Sequence, residues 1–424
     1  MALLRSRMML PAGLLVLLLT VSMQVMALPF PSLDPRTFSM GGAGVASGGS
    51  ASAGFLNPAL LVTARERKDV AIAAPIAAWR IMDPLSLSDE IDRYQGNELE
   101  RAFEEAMSAF KDPGGAADEK IRGDLRSSAL DIIGLMGRMS EKSIDGERLV
   151  AVAVGIPSKT SGMSLMVSSW SVGGAKLFNK AQDMQAFTDV VTAIEEGVAS
   201  IDDDAYAIEL NPAVGRTLTG GLQGRGAVLR EISISVAREY TLYGHDLVLG
   251  VTPKYVRVVT FDYLEGLNVA GFNYDTNTKA YSSVNVDVGV TRDYSNGWKT
   301  GLVVKNLIPQ SFKTALNNKV YIFPQVRAGF SRRSSWGTTA LDLDLNESKA
   351  IGLDSKTQYI SMGVEFDLIK AAQIRVGYRH NISNRDTSIL TFGAGVVVMD
   401  AYLELAVGLN EDKVGASVQL GFGF

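Results

Sequence analysis

The sequence predicts an all-β fold, a 14-stranded antiparallel transmembrane β-barrel. Three observations carry that expectation: a short apolar leader, strict apolar/polar alternation over most of the remaining chain, and connections that are alternately short and long. Composition narrows the function. The 424 residues carry a net charge of −5 with no basic block, which disfavours nucleic acid as a partner. There is no cysteine, so disulfides, iron–sulfur clusters, thiol catalysis and cysteine-ligated zinc are excluded. The two histidines, His245 and His380, are too distant in sequence to suggest a metal site, and no cofactor is implied.

The leader comes first. Arg5 and Arg7 precede an apolar run from Met8 to Val21, and Val25-Met26-Ala27 offers small residues at a cleavage position. That is the pattern of a secretory signal peptide over residues 1–27. The run is short for a membrane-spanning helix, and no cysteine follows it that could be lipidated. The mature chain is expected to begin near Leu28 and to reach the bacterial outer membrane.

The wall follows, in residues 69–424. Alternation places its 14 strands at 69–79, 148–156, 163–171, 228–240, 245–259, 280–292, 298–306, 320–331, 337–346, 358–367, 372–381, 387–398, 401–409 and 414–424. In the sixth, Val284, Val286, Val288 and Val290 interleave with Asn285, Asp287, Gly289 and Thr291. Successive side chains of a strand point to opposite faces, so each segment has one apolar and one polar face. Connections after even strands are short, as at 241–244, whereas those at 80–147 and 172–227 are long. An even strand number with short turns at one rim and long loops at the other is the outer-membrane pattern, with both termini at the short-turn, periplasmic rim. The last segment is apolar at every even position and stops on Phe424. It resembles the terminal signal that barrel-assembly machinery reads. A soluble sheet would leave that apolar edge exposed, and barrel closure removes it.

With apolar side chains facing outer-membrane lipid, the polar face supplies luminal charges: Lys254, Asp287, Asp342, Glu365, Arg375 and Arg379. Buried charges must pair or be hydrated. They read as ion pairs that stiffen the wall, or, more sharply, as a polar permeation path. Arginine at the lipid-facing Val288 should cost about 2–4 kcal/mol, and serine at the neighbouring Gly289 should cost less.

The two long loops carry helical spacing. Leu99, Phe103, Ala106 and Phe110 fall on one face, as do Met184, Phe187, Val191 and Ile194. Such faces can pack on one another or form a greasy entry groove. The first loop, 80–147, holds 9 basic against 16 acidic residues, which argues against DNA contact. Gly42-Ala43-Gly44 lacks the strand, third glycine and acidic residue of a dinucleotide site. An outer-membrane hydrolase is a weak third possibility, because neither histidine falls where a catalytic site is expected.

Residues 38–61 read F-S-M-G-G-A-G-V-A-S-G-G-S-A-S-A-G-F-L-N-P-A-L-L. This resembles the mature start of FadL-like long-chain fatty-acid transporters, with Asn57-Pro58-Ala59 as its motif. Arg36-Thr37-Phe38-Ser39-Met40-Gly41-Gly42 and the later blocks Gly301–Leu307 and Ile374–Arg379 resemble the plasmid-transfer TraF-like family of outer-membrane proteins. The resemblance implies 14 strands, in agreement with the turn-by-turn reading, and an N-terminal luminal hatch at 28–68 fixed by Asn57, Pro58 and Ala59. The leading function it implies is passage or binding of a small hydrophobic ligand, without enzymatic activity. The alternative is a structural component that binds transfer or secretion proteins.

Overall fold

A single sheet with alternating faces can bury one of them by closing on itself, and here it does. In the computed structural model, fourteen strands pair in sequence order: β1 Ala71–Met82, β2 Ser143–Ile156, β3 Ser161–Phe178, β4 Gly221–Leu242, β5 His245–Gly266, β6 Thr278–Asp293, β7 Trp298–Lys305, β8 Gln325–Arg333, β9 Gly337–Asp344, β10 Tyr359–Ile369, β11 Ala372–Asn381, β12 Ile389–Val398, β13 Ala401–Asn410 and β14 Lys413–Gly423. Every pairing is antiparallel, and β1 pairs with β14 from Ala71↔Gly423 to Met82↔Lys413. The structure describes residues 30–62, 70–83, 86–87, 99–140, 142–178, 181–197, 208–209, 216–217, 221–266, 277–349, 351–353, 356–369, 371–383, 388–411 and 413–423. The leader, the last residues of the expected hatch (63–68) and Phe424 lie outside them.

The two faces separate as alternation requires. Ile232, Ile234 and Val236 of β4 are each about half exposed, as are Met362 and Phe366 of β10, whereas the adjacent Ser233, Ser235, Ser361 and Glu365 are buried. An apolar belt turned outward over a polar interior inverts the soluble pattern and suits lipid as the outer solvent. One bulge interrupts β1 between Ala73 and Ile76, against both neighbours. Pro75 sits there, and a residue without an N–H is accommodated at a bulge rather than in a regular ladder.

Several boundaries differ from the expectation. The eighth strand does not begin at 320. Lys319–Ile322 pairs with Gln310–Lys313 in a separate hairpin, and the wall resumes at Gln325 beyond Pro324. Strands β4 and β5 are also longer than alternation suggested, pairing up to Gly221↔Gly266. Glycines there hide the pattern: a Cβ on Gly226 would lie 2.2 Å from the Phe261 ring, and one on Gly224 would lie 2.0 Å from Tyr263. With β1 reaching Met82, β2 starting at Ser143 and β3 ending at Phe178, the long connections span 83–142 and 179–220.

Residues 30–62 lie inside the wall and are almost entirely buried. Helix α1, Pro35–Ser39, is capped by Asp34, whose carboxylate accepts the Thr37 N–H at 3.1 Å. It packs on β11–β14. A 3-10 turn at Pro58–Leu61, capped by Asn57, packs on β3–β6. In the long loops, α2 Leu99–Lys111, α3 Glu119–Met139 and α4 Ala181–Glu195 bury their apolar faces in one another, around Phe103, Leu125, Ile132, Phe187 and Ile194. The Phe103 and Phe187 rings meet edge-to-face at 5.3 Å.

Candidate luminal site

Glycines on the inner wall record where the N-terminal segment lies. A Cβ on Gly289 would sit 1.9 Å from Asn57 Oδ1, one on Gly377 2.1 Å from the Gly41 nitrogen, and one on Gly250 2.5 Å from the Ala59 nitrogen. The expectation that serine is mild at Gly289 is therefore corrected, because that position is a contact surface rather than open lumen. Gly250 and Gly289 are close to the turns at 243–244 and 294–297, so Asn57-Pro58-Ala59 lies toward the short-turn rim. Asn57 Nδ2 donates to the Val45 and Val290 carbonyls at 3.1 and 3.4 Å, and its Oδ1 accepts the Ala59 N–H at 3.1 Å. All three motif residues are buried. Proline at the first position of the turn lacks the donor that a helix start would leave unpaired.

The six charged residues singled out from the sequence are all buried and form three groups. Asp342 accepts the Gly44 and Val45 amides at 2.8 and 2.9 Å, and Arg379 donates to the Gly41 carbonyl at 2.9 Å. Both thus bind segment backbone directly. Lys254 and Asp287 pair at 3.0 Å, and Lys305 joins Asp287 at 3.0 Å while donating to the Phe55 carbonyl at 2.7 Å. Glu365 and Arg375 pair at 2.8 Å, and Arg36 of α1 adds two bonds to Glu365, each 3.0 Å. Each charge is compensated by an opposite charge or by backbone dipoles, as a desolvated wall demands.

Two partners escaped the sequence reading. Arg36 was noticed only as part of a motif. Arg327, 1% exposed, lies within the expected eighth strand, 320–331, but was not among the luminal charges read from it. It pairs with Asp344, donates to Ser32 Oγ at 3.0 Å and stacks 4.1 Å from the Phe30 ring centroid. The run Val326, Ala328 and Phe330 around it would have pointed Arg327 inward. His245 and His380 meet other chemistry: His245 Nδ1 lies 2.8 Å from Arg292, and His380 Nδ1 lies 2.9 Å from Ser388 Oγ.

Both rims bear on access. At the short-turn rim a cavity of about 420 Å³ lies between residues 49–52 and the charges Arg36, Glu365, Arg375 and Glu404. At the opposite rim the 310–322 hairpin turns inward. Thr314 Oγ1 and Asn318 Nδ2 each donate to buried Asp262 at 2.7 Å, and Phe312 meets Tyr281 at 5.3 Å. The arrangement is a vestibule at one end, a lumen occupied by 30–62, and an in-turned hairpin at the other.

A family model described as F plasmid transfer operon, TraF, protein matches residues 54–344. Among solved structures, the toluene transporter TbuX of Ralstonia pickettii aligns with a TM-score of 0.50 at 10% identity, over 95% of this chain and 99% of that one. A Pseudomonas aeruginosa FadL homologue aligns at 0.49 and 11% identity, over 92% and 98% of the two chains. The Pseudomonas putida toluene transporter TodX aligns at 0.47 and 10%, over 95% and 100%. No curated protein matches. At such identities the likeness is one of fold.

Proposed function

The chain belongs to the family described as F plasmid transfer operon, TraF, protein, and from that premise we propose an outer-membrane channel for small hydrophobic molecules, with residues 30–62 as its hatch. One observation carries the reading: a closed 14-stranded wall whose lumen is occupied by its own N-terminal segment. The architecture is shared with the toluene transporter TbuX. The hatch is held by individual polar bonds to Asp342, Arg379, Lys305 and Glu365 rather than by continuous strand pairing, so it can shift without opening the wall. The vestibule itself is lined by charge. The apolar nature of the cargo therefore rests on the comparison, and the charged groups act on the hatch. The leader would deliver the chain to the outer membrane, with the short-turn rim in the periplasm.

The test is uptake of radiolabelled toluene by cells lacking their own hydrocarbon channels. Expression of the protein should speed uptake, and deletion of 38–54 should leave a folded barrel with higher conductance in planar bilayers. Uptake no faster than in vector controls, with fully folded barrels present, overturns the channel reading and leaves a partner-binding role in a transfer or secretion apparatus.

A further inference from the structure

The outer face of β3–β6 carries a row of polar side chains in register: Ser169↔Arg230↔Arg257↔Ser282. One step toward the short-turn rim, the same strands present Val167↔Ile232↔Tyr255↔Val284, between 47% and 63% exposed. The polar row thus interrupts the apolar face toward its long-loop end, with Val228↔Val259 in the next row on the same side. Further along β4, Arg238 resumes charge after Ile232, Ile234 and Val236. Eight residues at a rise of about 3.4 Å on a strand tilted by about 40° make a band of roughly 20 Å, close to the apolar height of such barrels. Arg230 and Arg257 therefore stand at the interface nearer the long loops.

Two arginines directly opposite each other on one sheet face repel. Among the described residues neither has an acidic, hydrogen-bonding or aromatic partner, so the wall holds two adjacent cations uncompensated by protein. Just above them is a recess of about 440 Å³ with Arg148, Ser171, Phe261 and Tyr263 at its sides, lined also by Asp145 and by Glu147, which pairs with Arg80. Its floor is glycine: a Cβ on Gly173 would lie 2.7 Å from the Phe261 ring, so only a bare backbone leaves that ring its place. Paired guanidinia, hydroxyls and an aromatic platform at membrane-interface height match a phosphorylated sugar whose acyl chains run down the belt.

We propose that this face binds the phosphorylated disaccharide headgroup of a lipid A-type glycolipid, with Arg230 and Arg257 sharing a phosphate and the recess over Gly173 seating a sugar ring. The inference rests on the outer-membrane reading above. A phosphate anion between the two arginines removes their repulsion, and Tyr255 beneath them packs along the upper acyl segment.

The test uses the full-length mature protein in detergent and the double variant Arg230→Ser, Arg257→Ser. Both positions are exposed, and heat-modifiable migration checks that the barrel still folds. The probes are bisphosphorylated lipid A, its monophosphorylated form and phosphatidylglycerol. Wild type should bind bisphosphorylated lipid A at least about tenfold more tightly than the double variant does, and more tightly than it binds either other probe. A folded double variant with unchanged affinity, or phosphatidylglycerol competing equally well, overturns the site. Membrane fractionation of the same cells separates the two readings. Absence from the outer membrane defeats the location, whereas correct location with unchanged binding defeats only the glycolipid site.

Discussion

Asp34 is a carboxylate taken out of water to cap a five-residue helix. Burial pushes its pKa above the ordinary carboxylate range, against the pull of the Thr37 hydrogen bonds and nearby Arg36. A folded-state value above the unfolded one means the fold favours the protonated form. That contribution is complete below the unfolded value and is lost as pH rises through the folded one. Asp34→Asn keeps a cap oxygen for Thr37 and cannot ionise. Thermal unfolding should therefore show the variant gaining on wild type as pH rises above the ordinary carboxylate range, and a constant difference there would mean Asp34 ionises freely. Gly289→Ser tests a different contact. A side chain there enters the space of Asn57 Oδ1, so the segment must move. We expect raised conductance in planar bilayers from a barrel that migrates normally in gels, and unchanged conductance would place the gate elsewhere.

At the scale of elements, the loop helices form a unit whose apolar faces satisfy one another. Phe103→Ala should remove about 3–5 kcal/mol from that unit while the barrel keeps its heat-modifiable migration. Limited proteolysis should then cut between 99 and 139 much faster than in wild type, and equal cutting rates would show that the helices lean on something else. Period-two alternation made the wall legible in the sequence, and 3-4 spacing made α2 and α4 legible. Helix α3 went unread although its signals are present: Asp118 accepts the Lys120 and Ile121 amides, and Leu125, Ala129, Ile132 and Met136 share its buried face. The end of the 310–322 hairpin falls inside the expected eighth strand, 320–331, because its alternating Val320 and Ile322 obey the same period as the wall. Only Phe323 and Pro324 separate them, and the effect of a proline on a ladder is local.

At the scale of the whole molecule, lipid and lumen occupy opposite sides of one layer of backbone. Val288→Arg should destabilise the barrel by about 2–4 kcal/mol, measured by urea unfolding in bilayers of defined thickness. Little change would mean that its face does not meet hydrocarbon. Orientation has its own check, since the native chain contains no cysteine. Asp118→Cys should react with an impermeant maleimide on intact cells and Asn296→Cys should not, and the opposite result inverts the topology. The charged lining was legible because alternation assigns a face to every strand residue. Its bonds to residues 30–62 were not, because that segment has no period, and its path is set by which wall positions lack a Cβ.

The seam between β1 and β14 sets a kinetic condition. Residues near 71 must find residues near 423, almost the full span of the described chain, and contacts so distant in sequence form slowly because loop closure precedes any gain from pairing. Until then both edge strands stay open and will accept any strand of matching pattern. A chain ending before Lys413 can never close, and proteases in the export compartment should clear it rather than let it persist as a weaker barrel. A synthetic peptide of residues 413–423 should likewise slow refolding of the intact chain in lipid vesicles, by occupying the edge of β1 before its own last strand arrives.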